Sequence, residues 1–203
     1  MKIAKKFMAL ALAAVLSVGC AFCVSADGSR TKDVTVSQEQ SQIYEIIQKI
    51  EDTEGVKDLQ QKYPTIAEAF QKVGEGKMDM PEFIDVLKAL ATDEKDETLK
   101  AKLEEVIEKL DGKDFVTGFI QFKVLDSVKA VKNADGKYEV EFSVPSITDD
   151  MENIQLVCYN EETKEWTIVD PINVDKEKKT IKVALDDLCY FTIVADAKED
   201  TAE

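Results

Sequence analysis

Tyr138-Glu139-Val140-Glu141-Phe142-Ser143-Val144 alternates apolar with polar side chains without a break. Successive side chains of a strand point to opposite faces, so this pattern predicts a half-buried strand with one wet face. Turn residues bound it, Asn133-Ala134-Asp135-Gly136 before and Pro145 after. Upstream, Ile120, Phe122 and Val124 alternate with Gln121 and Lys123 in the same way. Downstream, strands are expected at Ile154 to Tyr159, Glu165 to Val169, Thr180 to Leu185 and Tyr190 to Ala195, separated by Asn160-Glu161-Glu162 and Pro171. Short strands punctuated by turns at intervals of about eight to twelve residues predict an antiparallel, immunoglobulin-like β-sandwich over 113–197. A short acidic tail, 198–203, follows.

N-terminal to Asp111-Gly112-Lys113 the period becomes helical. Ser37-x-x-Gln40 has the form of a capping box, and Ile43, Ile46, Ile47 and Ile50 recur at the spacing of one helix face, with Gly55 expected to stop that helix. A brief helical turn around Val56, Leu59 and Tyr63 would end at Pro64. Thr65-x-x-Glu68 and Asp79-x-x-Glu82 predict two further starts, the second with Pro81 in its first turn. A last helix, beginning within Asp93 to Glu97, would bury Leu99, Leu103, Val106, Ile107 and Leu110. The expected fold class is therefore α+β in two parts: a small antiparallel helical bundle over 37–112, then the sandwich. Residues 27–36 are polar and aperiodic and read as a flexible leader.

Residues 1–26 have the layout of a secretory signal peptide: Lys2, Lys5 and Lys6, the apolar run Phe7 to Val18, and small residues before a cut between Ala26 and Asp27. The protein is expected to be secreted and extracellular, with no transmembrane segment after cleavage, because later apolar clusters are all interrupted by charge. A competing address is a lipid anchor at Cys20, although Ser17-Val18-Gly19-Cys20 fits the lipoprotein pattern poorly. The Cys20-x-x-Cys23 spacing lies within this peptide and does not indicate a redox enzyme.

The sequence has 203 residues, 26 basic against 41 acidic, a net charge of −15 and no histidine. Without imidazole there is no Ser-His or Cys-His nucleophile and no histidine-ligated metal. The acidic balance argues against nucleic acid, whose phosphates are met by Lys and Arg. No cofactor is expected. Cys158 and Cys189, both in predicted strands, form either a disulfide or two buried thiols acting as small hydrophobes. Asp149, Asp150 and Glu152 are candidate ligands for a loosely bound calcium ion. Asn133-Ala134-Asp135-Gly136 has the middle of an EF-hand loop but Val131 at its first ligand position, so it reads as a turn. Tyr159, Trp166 and Tyr190 are candidate sugar-stacking rings, weighed against a core role for Trp166.

Several stretches carry a resemblance: Asp135-Gly136-Lys137-Tyr138-x-Val140-x-Phe142-x-Val144-Pro145-Ser146-Ile147-Thr148; Trp166 with Pro171-x-x-Val174-Asp175; Lys179-x-Ile181; and Asp187-Leu188. Over about Phe119 to Ala195 the chain resembles uncharacterised small exported proteins of gut Clostridia and related Firmicutes with a C-terminal immunoglobulin-like sandwich. The resemblance implies export and a sandwich, and no activity or catalytic residues. Those proteins carry His or Leu near Cys158 and Ser-Pro near Cys189-Tyr190, so a disulfide would be this chain's own feature. The expectation for function is a non-enzymatic secreted or surface interaction module with a protein or glycan ligand. The alternatives are a carbohydrate-binding module using the sandwich aromatics and a carboxylate-only glycoside hydrolase.

Overall fold

The structure, a computed structural model, describes residues 33–48, 54–125 and 130–197. Residues 1–26, read as a signal peptide, the expected cut between Ala26 and Asp27, Cys20 and the tail 198–203 lie outside the described residues. The architecture is mixed, two antiparallel sheets and several helices, stacked as helices on a six-stranded sheet on a four-stranded sheet.

The four-stranded sheet has the order β1-β5-β9-β8, from β1 (Thr35–Val36), β5 (Tyr138–Ser143), β9 (Thr180–Leu185) and β8 (Asn173–Asp175). Register pairs Val140 with Val183 and Phe142 with Ile181, so the apolar positions of both long strands share the inner face. Their partners Glu139, Glu141 and Lys182 face water, as the alternation requires.

The six-stranded sheet runs β2 (Tyr44–Ile47), β4 (Ile120–Val124), β10 (Tyr190–Asp196), β6 (Gln155–Tyr159) and β7 (Trp166–Val169), with β3 (Lys113–Phe115) also paired to β10. It is covered on both faces. Leu156, Cys158, Phe191 and Ile193 point into the sandwich, whereas Val157, Tyr159, Tyr190 and Val194 point to the helices. Between β3 and β4 the pairing to β10 is interrupted, and buried Thr117 fills the break. Its hydroxyl accepts from the Ile193 N–H (2.9 Å) and its carbonyl accepts from the Thr192 hydroxyl (2.7 Å).

The helical layer comprises α1 (Glu54–Lys62), α2 (Pro64–Gly74), α3 (Met80–Asp93) and α4 (Glu97–Leu110). Asp79 and Glu82 form the expected capping box, with bonds of 2.9 and 3.2 Å. Asp96 caps α4 through the N–H groups of Thr98 and Leu99. The Thr65-Glu68 box does not open α2, because Pro64, with φ suited to a first turn, has already started that helix. Gly55 lies inside α1 instead of ending a helix. Gly112 (φ +74°) makes the turn from α4 into β3, a backbone conformation that favours glycine.

The helical unit expected over 37–112 needs correction at its start. Residues 37–43 form hydrogen-bonded turns and 44–47 form β2, paired antiparallel to β4. Tyr44 and Ile46, two residues apart, occupy the sandwich face, and this strand spacing prevails over the helical spacing of the isoleucines. Ser37 and Gln40 cap no helix. The Gln40 side-chain amide donates to the Glu139 carbonyl (3.0 Å) and accepts from the Glu141 N–H (2.9 Å), standing in for a strand residue beside β5 where β1 ends. The leader is likewise structured from residue 33: Val34 is fully buried and β1 pairs with β5.

Both the helix-to-sheet layer and the sandwich are therefore needed to bury the central sheet. Phe70 of α2 is the hub of the first: it stacks on Phe119 with ring centroids 3.7 Å apart and meets Trp166 edge-on at 5.9 Å. Such pairs add to the area that the rings remove from water.

Candidate functional site

Register sets Gln121 opposite Tyr190, Tyr190 opposite Tyr159, and Tyr159 opposite Trp166. These side chains form one row across the helix-facing side of the central sheet. The structure thus brings Tyr159, Trp166 and Tyr190 together, but at 1%, 4% and 2% exposure beneath α1 and α2. Tyr159 and Trp166 lie 4.8 Å apart, and Phe70 and Tyr63 cover them. No sugar can reach these faces, so the stacking platform is corrected to a packing layer. Strand register aligns the rings, and the helices cover the face they share.

The polar end of the row borders a recess. The Gln121 amide donates to the Tyr190 hydroxyl at 3.1 Å. Burial pushes Glu161 above the usual carboxylate range, partly offset by Lys62 and reinforced by Asp58. Burial also raises both tyrosine hydroxyls. Gln121 Oε1, Glu161 Oε2 and the Tyr159 hydroxyl are buried and have no hydrogen-bond partner among the described residues. A buried unpaired polar atom costs roughly 1–3 kcal/mol. Gln121 Oε1, and Glu161 Oε2 when that carboxyl is ionised, only accept, so a group that donates hydrogen bonds would satisfy them.

Two recesses meet here. One of about 220 Å³ is lined by Gln121, Lys123, Glu161, Glu162 and Tyr190, among others. Its neighbour, about 210 Å³, is lined by Lys102, Cys158, Glu165, Thr167 and Asp186, among others. Asn160, Asp187 and Cys189 line both. The dividing wall is an Asn160 amide bonded to the Asp187 carboxylate at 3.3 Å. Asn160 also builds the β6–β7 turn, accepting from the N–H groups of Glu162 and Thr163. Lys102 of α4 pairs with Glu165 on the far side of that turn. Sequence reading saw residues 160–162 only as punctuation and Gln121 only as a wet-face residue. The usable signal was the nearly unbroken apolar runs of β6 and β10, which mark strands covered on both faces.

Cys158 and Cys189 are free thiols, both buried and both in the sandwich core. A hydrogen bond with Cys158, then burial, pushes the Cys189 thiol well above its usual range. Asp149, Asp150 and Glu152 are exposed around a turn in which Thr148 donates to Asp150 and the Asp149 carbonyl accepts from Lys176. Among the described residues no three His, Cys, Asp or Glu side chains converge to hold a metal ion, so the structure does not assemble the candidate calcium site. No helix among the described residues is long and apolar enough to cross a membrane. No protein-family model matches the chain, and it has no match among curated proteins or solved structures.

Proposed function

We propose that the protein is a non-enzymatic exported interaction module that binds a cationic, hydrogen-bond-donating segment of another protein at the turn end of its central sheet. The observation that carries this reading is the pair of unsatisfied acceptors, Gln121 Oε1 and Glu161 Oε2, on residues that line the cleft. The two recesses are lined by five carboxylates, Glu161, Glu162, Glu165, Asp186 and Asp187, of which Asp186 pairs with Lys137 and Glu161 feels Lys62, while Glu162 and Asp187 stand in no ion pair among the described residues. Lys102 is committed to Glu165. A lysine or arginine side chain would supply both the missing donors and the missing charge. Val131 and Ile172 are the large apolar residues with high exposure among those described, so the surface favours a polar contact over a greasy one. The buried aromatic row disfavours a glycan ligand. Export is the part of the proposal that rests on the signal-peptide pattern, and the Clostridial resemblance supports it.

Amide NMR titration with a lysine-rich peptide tests the site. The expected result is shifts confined to Gln121, residues 160–165 and 186–190, weakening as salt rises, and at least tenfold weaker binding by Glu161→Gln. Shifts spread over the whole acidic surface, or equal binding by Glu161→Gln and the wet-face control Glu141→Gln, would overturn it. Fractionation of the native culture with intact mass should give a released chain starting at Asp27; retention in the cytoplasm with Met1 in place would contradict export.

A further inference from the structure

We propose that the cleft takes its cation in exchange for a proton: Glu161 keeps a proton while the cleft is empty and gives it up as the ligand's ammonium arrives, so binding strengthens as the medium turns from acid to neutral. The inference rests on the cation-binding reading above and adds how that site is regulated.

Glu161 differs from the other carboxylates of the two recesses in what surrounds its oxygens. Its Oε2 is buried and has no hydrogen-bond partner among the described residues, although the residue lines the recess. Glu165 holds Lys102 and Asp186 holds Lys137. Asp187 accepts from the Leu188 N–H and the Asn160 amide, and Glu162 is exposed to water. Glu161 thus has a buried oxygen with neither water nor a donor, and there the neutral acid is the cheaper form. The turn keeps it in place. The Asn160 side-chain carbonyl accepts from the Glu162 and Thr163 N–H groups, and the Asn160 N–H donates to the Glu165 carbonyl, so the backbone on both sides of Glu161 is fixed.

Asp58 and Lys62 face Glu161 from α1, Glu162 adjoins it in the turn, and Tyr159 and Tyr190 face it from β6 and β10. Lys123 and Asp187 stand on the walls of the recess, Lys123 in a pair with Glu45. Burial pushes the Glu161 carboxyl up; Lys62 opposes this from a distance, and Asp58 and Glu162 reinforce it. A ligand ammonium in the recess brings both an opposite charge and donors into contact. The carboxyl O–H bond breaks, the proton passes to the solvent, and the carboxylate accepts from the ligand, with no transfer of electrons. The pKa of Glu161 is then lower in the loaded cleft than in the empty one. Affinity therefore rises with pH between those two values and is level outside them. Each unit by which the cation lowers the pKa is worth about tenfold in affinity.

The test is calorimetric titration of the folded full chain with a lysine-rich peptide, acetylated at its N-terminus so that the peptide itself does not titrate near neutrality. Runs between about pH 5 and about pH 7.5 use two buffers of different ionisation enthalpy, such as cacodylate and ACES. The expected result is a heat that differs between the buffers in the sense of proton release, and an affinity that weakens about tenfold or more towards acid. Glu161→Gln should release no proton and should bind across the range at the weak level that the parent reaches in acid. Glu162→Gln, which removes a neighbouring carboxylate and keeps the acceptor, should retain the release. Equal heats in the two buffers with binding still confined to the cleft would overturn this inference and leave the cation reading standing. Release that persists in Glu161→Gln would also overturn it, by placing the proton on another group. No binding at the cleft at any pH would overturn both.

Discussion

The two sheets of this protein solve different problems with similar strands. The four-stranded sheet buries one face and wets the other, so β5 and β9 alternate strictly and announce themselves. The six-stranded sheet is buried on both faces, and its β6 and β10 read as nearly continuous apolar runs, Leu156-Val157-Cys158-Tyr159 and Tyr190-Phe191-Thr192-Ile193-Val194-Ala195. An uninterrupted run tells that a strand has two covers but not what the second cover is. Here it is a layer of amphipathic helices that occur earlier in the chain, and the candidate cleft lies at the turn end of the same sheet.

The sharpest way to break the contrast is at the helix-to-sheet interface. Phe70→Ala should cost about 3–5 kcal/mol by urea denaturation, because Phe70 is buried against Phe119, Tyr159 and Trp166. A loss of less than about 1 kcal/mol would mean that the helices do not bear on the sheet.

Next in size is the edge of the four-stranded sheet. Gln40→Ala removes a two-bond side-chain bridge to β5 and should cost about 1–2 kcal/mol, read as a shift of the urea midpoint. Asp79→Ala, which opens the capping box of α3, should cost about 1 kcal/mol in the same assay.

Glu161 gives a smaller effect with a definite sign. Its folded pKa is raised, so the fold prefers the neutral carboxyl. Stability is unaffected by this group below the unfolded value of about 4.3 and falls as pH rises from there through the folded pKa. Glu161→Gln should therefore be more stable than the parent at neutral pH and equal to it in acid, checked by melting temperature across that range. Asp196 has the opposite sign. The Lys113 ammonium and the Asn153 amide lower its pKa, so its contribution is present above the unfolded carboxylate value and is lost as pH falls through the folded one. The smallest effect belongs to the wet face. Lys182→Ala breaks an exposed pair with Glu139 and should leave the urea midpoint unchanged within error.

Much of this was legible before the structure. Alternation and apolar runs placed β4, β5, β6, β7, β9 and β10, and helical spacing placed three of the helices, whereas the three-residue β3 and β8 are too short to show a period. Periodicity failed over 43–47, where the isoleucines satisfy a helical spacing while Tyr44 and Ile46 satisfy a strand one; pairing with β4, a contact distant in sequence, decided between them, and Ile50 lies outside the described residues. The cleft was less legible still. Gln121, Glu161 and Asp187 belong to three separate segments, and only strand order brings them to one end of the sheet.

The account stands on the central sheet being one cooperative unit with both of its covers. Urea unfolding followed by Trp166 fluorescence, which reports the helix-to-sheet interface, and by far-ultraviolet circular dichroism, which reports all the layers, tests this directly. Coincident transitions with one midpoint are the predicted result. A Trp166 transition well below the main loss of secondary structure would contradict it, by showing that the sandwich persists as a separate domain after the helices have left.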